Sequence, residues 1–189
     1  MARLSVFNSV SLDGYFVDPK GDMSWAHGDP DDAEWNDFVG GNARGGGMLV
    51  FGRVTYEMMA SYWPTPYAAS AMPEVAERMN ALPKIVFSRT LRQATWSNTR
   101  LVTTDPVAEI ARLKKGDVDM AILGSGRITA LLAGAGLIDE YQIVMTPVAL
   151  GAGRTMFEGI PQPLRMTLTG TRAFKNGNVF LTYAPARVS

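Results

Sequence analysis

Two short stretches of the sequence combine glycine, arginine and hydroxyl side chains in a pattern that suits phosphate binding. The first contains Gly52, Arg53 and Thr55, and the second is the run 124–127. Glycine lets a ligand approach the backbone closely, because it has no Cβ. The guanidinium group of arginine binds phosphate oxygens through a planar fork of N–H donors. These are the residue types that a diphosphate site needs.

Each stretch stands between an apolar run and a helical pattern. Four apolar residues precede each glycine, which is typical of a strand buried on both faces. The apolar positions that follow at helical spacing are Val54, Met58 and Tyr62 in the first unit and Ile128, Leu131, Leu132 and Ala135 in the second. The N-terminus of a helix offers free N–H groups and the positive end of its dipole to an anion. Two such ends side by side could hold a diphosphate. The alternative is that the glycines serve only tight turns, because a lone glycine turn is a weak motif.

Further candidates follow two other predicted strands. Asp13 and Gly14 come just after the apolar run 3–10, at the strand end where ligands bind in open α/β sheets. Ser88 and Arg89 follow the apolar run 84–87 and could fork onto a phosphate. The alternatives are a turn carboxylate at Asp13, which accepts bonds from nearby N–H groups, and a surface arginine at position 89. The motif Gly-x-Gly-x-x-Gly is absent after the first strand, so the sequence does not fit a Rossmann fold.

An acidic segment, 31–34, predicts the start of a helix with Trp35 and Phe38 on its apolar face. We expect its acids to cap the helix rather than to act in catalysis. The glycines at 40–41 and 45–47 are expected to end that helix. His27 is the only histidine, and we expect it to be a solvated loop residue rather than a metal ligand or a member of a triad.

Composition narrows the classes of protein. The chain has 189 residues, 47% of them hydrophobic, which favours one domain over residues 1–189. A net charge of +0 and the lack of a basic run argue against nucleic acid as a partner. Zero cysteines exclude disulfides, thiolate metal sites and a cysteine nucleophile, and we expect no metal site. No apolar run approaches the ~20 residues of a membrane span, and we expect no signal peptide and a cytoplasmic location.

Strands alternate with helices along most of the chain, and Asn176-Gly177 then separates two alternating apolar runs, as in a hairpin. This order predicts an α/β fold with a mixed, mostly parallel sheet, helices on both faces and a C-terminal antiparallel hairpin. The segment 147–163 is predicted to be a long loop, of the kind that is often functional or mobile.

Several of these motifs resemble known families. The run 52–57, Gly-Arg-Val-Thr-Tyr-Glu, resembles the Gly-Arg-x-Thr-[Trp/Tyr]-Glu signature of dihydrofolate reductases. The runs 85–89 and 122–127 resemble the strand with serine and the later glycine turn of those enzymes. The run 11–15 and the loop 151–157 look closer to the reductase domain of the riboflavin-biosynthesis deaminase–reductase and its stand-alone bacterial relatives. The resemblance covers residues 4–183.

The resemblance implies a dihydrofolate-reductase-like fold, NADPH as hydride donor and a homodimer. By this similarity, Gly52, Arg53 and Thr55 would meet the diphosphate and adenosine side of the cofactor. Ser88 and Arg89 would bind the 2′-phosphate together with Arg53. The residues that would hold the other side of the diphosphate are Leu123, Gly124, Ser125, Gly126 and Arg127.

The resemblance also implies a functional carboxylate, for which two positions stay open. Dihydrofolate reductases hold the pterin with an acid on the first helix, and here Asp32 is the choice over Glu34 and Asp37. The riboflavin-pathway reductases place the Asp of Ser-Leu-Asp-Gly near the nicotinamide. That similarity makes Asp13 the catalytic candidate, with Gly14 beside it at the substrate. Asp13 would orient the acceptor or relay a proton.

These inferences predict an NADPH-dependent reductase of a small pteridine, pyrimidine or related heterocycle. The nearest activity implied by resemblance is that of a 5-amino-6-(5-phosphoribosylamino)uracil reductase. We expect no attached deaminase domain and no bifunctional role, because the sequence has no cysteine for the deaminase zinc. One alternative is a nucleotide-binding module without turnover. Another is a structural protein whose glycines serve only turns.

Overall fold

The computed structural model describes residues 1–29, 31–43 and 47–186. The strands are β1 (Leu4–Ser11), β2 (Tyr15–Val17), β3 (Met48–Gly52), β4 (Lys84–Phe87), β5 (Thr99–Val102), β6 (Met120–Leu123), β7 (Glu140–Thr146), β8 (Arg154–Thr155), β9 (Met166–Ala173) and β10 (Val179–Pro185). The helices are α1 (Ala33–Ala43), α2 (Arg53–Tyr62), α3 (Pro66–Ala71), α4 (Pro73–Ala81), α5 (Pro106–Leu113) and α6 (Gly126–Gly134), and a 3-10 helix spans Ser24–Ala26.

Eight of these strands form one sheet in the order β5-β4-β3-β6-β1-β7-β10-β9. The six strands from β5 to β7 pair in parallel, and β10 then pairs antiparallel with both β7 and β9. The turn between β9 and β10 contains Asn176 and Gly177, and Gly177 has a φ of 88°. The predicted mixed, mostly parallel sheet with a terminal hairpin is confirmed.

Helices cover both faces of the sheet, as the alternation of buried residues requires. On one face, Leu4 and Val6 of β1 pack with Ile110 of α5 and Leu132 of α6, all of them fully buried. On the other face, Phe51 of β3 packs with side chains of α2 and α4. Full burial of each large apolar side chain contributes about 1.5–3 kcal/mol to stability. These two layers therefore fix the strand ends at which the glycine turns lie.

Helix α1 joins the sheet to the C-terminal hairpin through aromatic contacts. The Trp35 ring meets the Phe174 ring edge-on with centroids 5.1 Å apart, and Phe38 lies 4.9 Å from Phe180. The prediction that Gly40-Gly41 ends this helix was wrong, because α1 continues to Ala43. Glycine in a helix costs only about 1 kcal/mol per residue, which this aromatic packing outweighs. Residues 45 and 46, which were also predicted to end the helix, lie outside the described residues.

Helix α2 confirms the predicted strand–turn–helix unit but presents its apolar stripe outward. Val54, Met58 and Tyr62 are 59%, 41% and 36% exposed, while Tyr56 is buried against Phe51. Both faces of this helix carry apolar residues, so periodicity alone could not tell which face the sheet covers. Within the described ranges, no helix is long and apolar enough to cross a bilayer.

Segment 147–163 is not wholly irregular. Its two-residue strand β8 pairs antiparallel with β2, with Tyr15 opposite Thr155. We refer to this pair, residues 15–17 and 154–155, as the β2–β8 ribbon.

Candidate functional site

The two glycine turns lie side by side at one edge of the sheet. Strand β3 pairs directly with β6, with Val50 opposite Ile122, so Gly52 and Gly124 end neighbouring parallel strands. The turns also bind each other. The N–H of Gly52 donates to Ser125 Oγ at 2.9 Å, and the N–H of Ser125 donates to Thr55 Oγ1 at 3.1 Å. The predicted adjacency of the two turns is therefore confirmed.

The two turns fit so closely that a side chain at either glycine would crowd its neighbours. Gly124 has a φ of 60°, and a Cβ there would lie 3.2 Å from Thr55 Cγ2. A Cβ at Gly52 would lie 3.2 Å from Ile128 Cγ1. Ser125 is itself left-handed, with a φ of 58°, a conformation that is uncommon for residues other than glycine. Such strained residues cluster at functional sites.

Helices α2 and α6 both begin at this pair of turns without a side-chain cap. Gly52 and Ser125 are the N-cap residues, and neither side chain satisfies a first-turn N–H group. The N–H groups of Gly52, Gly124 and Ser125 already donate within the protein, the second of them to Phe7 O at 3.3 Å. The amides left for an anion are therefore those of the first turns, which have no intrahelical acceptor.

A cavity of about 290 Å³ opens in front of the two helix starts. Its lining is Phe16, Val17, Gly21, Met23, Gly52, Arg53, Val54, Thr55, Met58, Phe87, Ser125, Gly126, Arg127, Ile128 and Arg154. Three arginines and no carboxylate, histidine or tyrosine are present in this described lining. Arg53 forms an ion pair with Glu57, in which Arg53 Nη1 lies 2.8 Å from the Glu57 carboxylate. Glu57 itself does not line the cavity. The cavity thus combines a cationic side with an apolar side that includes Met23, Val54 and Met58.

The structure brings six of the predicted cofactor residues together in this lining. They are Gly52, Arg53, Thr55, Ser125, Gly126 and Arg127. Leu123 and Gly124 lie directly behind them, at the end of β6, and shape the turn. The other predicted residues, Asp13, Gly14, Asp32, Ser88 and Arg89, do not line the cavity.

Ser88 and Arg89 lie at the same sheet edge as the first turn. Strand β4 pairs with β3 so that Phe87 stands opposite Gly52, and Ser88 follows directly. Ser88 Oγ accepts hydrogen bonds from the N–H groups of Leu91 at 2.9 Å and Thr90 at 3.2 Å, which closes a local turn. Arg89 is exposed and has no ion pair within the described part of the chain. Their binding of a 2′-phosphate stays a prediction.

Asp13 is engaged in a loop contact rather than in the cavity. Its carboxylate accepts hydrogen bonds from Ser11 Oγ at 2.6 Å and from the N–H groups of Gly151 at 2.7 Å and Leu150 at 3.1 Å. The bond from Ser11, then those from Leu150 and Gly151, lower the pKa of Asp13 to about 2. The group is ionised at neutral pH, which suits the turn-carboxylate alternative. Its role as a proton relay stays a prediction.

Two acids at the start of α1, Asp32 and Glu34, contact the C-terminal hairpin. Asp32 caps the helix by accepting from the Trp35 N–H at 3.0 Å, and its other oxygen accepts from Asn176 Nδ2 at 2.8 Å. Glu34 accepts from the Lys175 N–H at 3.2 Å. Asp37 is exposed further along the helix. The predicted capping role is thus observed at Asp32, and the structure does not bring Asp32 to the cavity as a substrate ligand.

Sequence reasoning missed Arg154, which the β2–β8 ribbon brings into the cavity. Its guanidinium lies 5.8 Å from the centre of the Phe16 ring. That ring occupies the space next to Gly126, where a Cβ would lie 2.7 Å from Phe16 Cζ. The available signal was Gly153-Arg154, a third glycine–arginine pair, within a segment predicted to be a long loop. His27 is exposed in its loop, and no group of three or more His, Cys, Asp or Glu residues converges in the described ranges.

Known proteins resemble this chain in sequence and in structure. The protein YyaP of Bacillus subtilis (strain 168), whose function is uncharacterized, is 27% identical over 183 residues, which are 96% of this chain and 94% of YyaP. A solved structure of a protein assigned to riboflavin biosynthesis in Shewanella sp. PV-4 is 25% identical, with a TM-score of 0.77. That match covers 99% of this chain and 100% of the Shewanella chain.

Two further matches identify the fold and the family. Dihydrofolate reductase from Enterococcus faecalis, solved in complex with NADP(H), has a TM-score of 0.61 and 17% identity over 98% of this chain and 97% of its own. This likeness shows that the fold is dihydrofolate-reductase-like, as the motifs predicted. The family model of the RibD C-terminal domain matches residues 2–180. The matches together support an oxidoreductase of the reductase type, and the chain belongs to the RibD C-terminal domain family.

Proposed function

We propose that this protein is an NADPH-dependent reductase of a small pteridine, pyrimidine or related heterocycle. The observation that carries the proposal is the interlocked pair of turns. It directs two uncapped helix starts and the arginines Arg53 and Arg127 at one cavity whose described lining contains no acid. A diphosphate is the anion that such a double site fits best, because each helix start can bind one phosphate group.

The residues present fit a dinucleotide. The N–H groups in the first turns of α2 and α6 would hold the two phosphate groups, with Thr55 and Ser125 fixing the turns. Gly52 and Gly126 leave room for the close packing of Ile128 and Phe16, respectively, in the cavity wall. The apolar side chains Met23 and Met58 offer contacts to a planar ring. NADPH, when bound, would supply the hydride.

We propose that the proton of the reduction comes from water. Hydride adds to the carbon of a C=N or C=O bond, and a proton must then reach the nitrogen or oxygen. The described cavity lining contains no carboxylate, histidine or tyrosine to donate that proton. Asp13, with a pKa of about 2, is ionised and is hydrogen-bonded elsewhere. We therefore propose a structural role for Asp13 in the loop, with water as the general acid, in place of the predicted proton relay through Asp13.

Preference for NADPH over NADH would depend on the cations near β3 and β4. Arg53 and Arg89 follow neighbouring strand ends, and Arg89 has no ion pair among the described residues. We expect Arg89→Ala to weaken NADPH about 10-fold and to leave NADH nearly unchanged, as befits the loss of one charged hydrogen-bond donor. Arg92→Ala, an exposed arginine nearby, is the matched control. An equal loss for NADH and NADPH would remove Arg89 from the 2′-phosphate site.

A second candidate function is nucleotide binding without turnover. The same lack of an acid in the described cavity lining favours it, because binding needs the cations and amides but no proton donor. The proposed ligand in both cases is a small molecule. The homodimer and the cytoplasmic location stay predictions, and light scattering of the purified protein tests the first of them.

The test combines binding with turnover. Calorimetric titration with NADPH is expected to show saturable one-site binding. NADPH oxidation, followed by absorbance with a panel of pterins and ribitylamino-pyrimidines, is expected to be faster than in protein-free controls for at least one compound. Binding without oxidation across the panel would favour the second candidate. A lack of NADPH binding at millimolar concentration would end both.

A further inference from the structure

We propose that Arg154 binds the diphosphate of the nucleotide, as a third cation that the β2–β8 ribbon adds to the two helix starts. This inference rests on the proposed function of the cavity. It adds Arg154 and the β2–β8 ribbon to the binding residues at the ends of β3 and β6.

Arg154 is positioned by contacts that tie the ribbon to α6. The Phe16 ring lies against Gly126, the first residue of α6, where the absence of a Cβ gives it room. The Arg154 guanidinium lies over the same ring at 5.8 Å. Cation–π contact of this kind orients a guanidinium while leaving its N–H donors available. The side chain is therefore held next to the helix start and not merely exposed near it.

The backbone that leads into Arg154 is fixed at two points. Gly153 approaches β2 so closely that a Cβ would lie 2.2 Å from Val17 O. Upstream, the Asp13 carboxylate holds the N–H groups of Leu150 and Gly151 at 3.1 and 2.7 Å. Asp13 thus acts as a positioning residue for the segment that carries Arg154.

The charge of Arg154 is uncompensated in the described structure. Arg53 contacts Glu57 at 2.8 Å, whereas Arg127 and Arg154 make no ion pair with the described residues. A diphosphate brings two negative charges into this cavity, which matches the two unpaired guanidinium groups. Both guanidinium groups are exposed, so their attraction to a diphosphate should be screened by salt.

A phosphate on the substrate is the other source of the same chemistry. We assign the diphosphate because Arg154 lines the same cavity as Gly52, Arg53, Gly126 and Arg127, at the two helix starts. The two sources are separable, because NADPH, NADH and ADP all carry a diphosphate, whereas ribose 5-phosphate carries a single phosphate and no dinucleotide feature.

The experiment measures the dissociation constants of NADPH, NADH, ADP and ribose 5-phosphate for wild type, Arg154→Gln and Arg165→Gln. Arg165 is an exposed arginine without an ion pair in the described chain and lies outside the cavity lining, which makes it the matched control. Arg154→Gln is expected to weaken NADPH, NADH and ADP by the same factor of about 10 or more. The affinity of Arg154→Gln for NADPH should also depend less strongly on salt concentration than that of wild type. Circular dichroism and melting temperature should match those of wild type.

Three outcomes overturn the inference, and they differ from failure of the proposed function. Unchanged dinucleotide affinity in Arg154→Gln removes Arg154 from the site while wild-type binding of NADPH leaves the reductase proposal intact. Weakening of ribose 5-phosphate alone assigns Arg154 to a substrate phosphate instead. An equal loss in Arg165→Gln reduces the effect to net charge. Wild-type protein that binds neither NADPH nor ADP overturns both proposals.

Discussion

Two regions surround the cavity, and they are held in place by different means. The double turn at the ends of β3 and β6 lies within the parallel sheet, and its residues hydrogen-bond one another through Ser125 and Thr55. The β2–β8 ribbon lies outside the main sheet. A two-residue pairing, the Asp13 contact and a small buried apolar cluster around Phe16 and Met156 hold it in place. Changes in the double turn should therefore destabilise the whole domain, whereas changes in the ribbon should act locally.

The largest effect is expected from Gly124→Ala. A left-handed alanine costs about 1 kcal/mol, and its Cβ would also meet Thr55 Cγ2 at 3.2 Å, so we expect a total loss of about 2–3 kcal/mol in unfolding free energy. Gly136→Ala is the matched control, because its φ of 67° is similar and no atom lies within 4 Å of the new Cβ. Urea denaturation measures both. Equal losses for the two variants would show that the contact with Thr55 carries no energy.

Thr55→Val should have the next largest effect. The change keeps the shape of the side chain but removes the acceptor for the Ser125 N–H. An N–H left unsatisfied in this part-buried position costs about 1–2 kcal/mol. Thr103→Val, at an exposed position with no hydrogen bond of its side chain in the described structure, is the control. Affinity for NADPH should fall in Thr55→Val and not in Thr103→Val, and similar stability for the two variants would contradict the interlocked-turn account.

Gly153→Ala should show that the β2–β8 ribbon contributes less to global stability than the double turn does. A Cβ at this position would lie 2.2 Å from Val17 O, so the β2–β8 pairing must open. Because the ribbon lies outside the main sheet and its buried cluster is small, we expect a loss of about 1 kcal/mol in global stability, less than that of Gly124→Ala. Proteolysis within residues 147–163 should become faster, and NADPH should bind about 10-fold more weakly, through loss of the contact with Arg154. A global destabilisation as large as that of Gly124→Ala would mean that the ribbon is part of the core.

The smallest effect is the titration of Asp13. Its folded-state pKa is about 2, below the ordinary 3.8, so the ionised form stabilises the folded ribbon. That contribution is complete above pH 4 and is lost as the pH falls through 2. The amide protons of Leu150 and Gly151 should shift with the same midpoint in NMR spectra. In Asp13→Asn these shifts should be absent, and a wild-type midpoint near 4 would contradict the hydrogen bonds described for Asp13.

The double turn can be predicted from the sequence, because the residues that form each of the two turns lie close together in the chain. Apolar runs, glycines and helical spacing lie within about ten residues of one another around Gly52 and Gly124, and sheet pairing then brings the two units together. The ribbon was missed because its contacts are long-range. Asp13 and Leu150 are 137 positions apart, and a two-residue strand such as β8 has no periodicity to detect.

Two other differences have similar physical causes. The stripe of Val54, Met58 and Tyr62 was found by its spacing, but only packing of Tyr56 against the sheet decides that this stripe faces outward. Asp32 could be recognised as a helix cap from its position. Its second bond, to Asn176 of the hairpin, depends on tertiary structure that the local pattern does not contain.

The central claim is that two adjacent helix starts grip one diphosphate. A crystal structure of the complex with NADPH tests it most directly. We predict phosphate oxygens within hydrogen-bond distance of first-turn N–H groups in both α2 and α6, with the Arg127 guanidinium beside them. A diphosphate that contacts only one of the two helices, or that lies outside this cavity, would contradict the account.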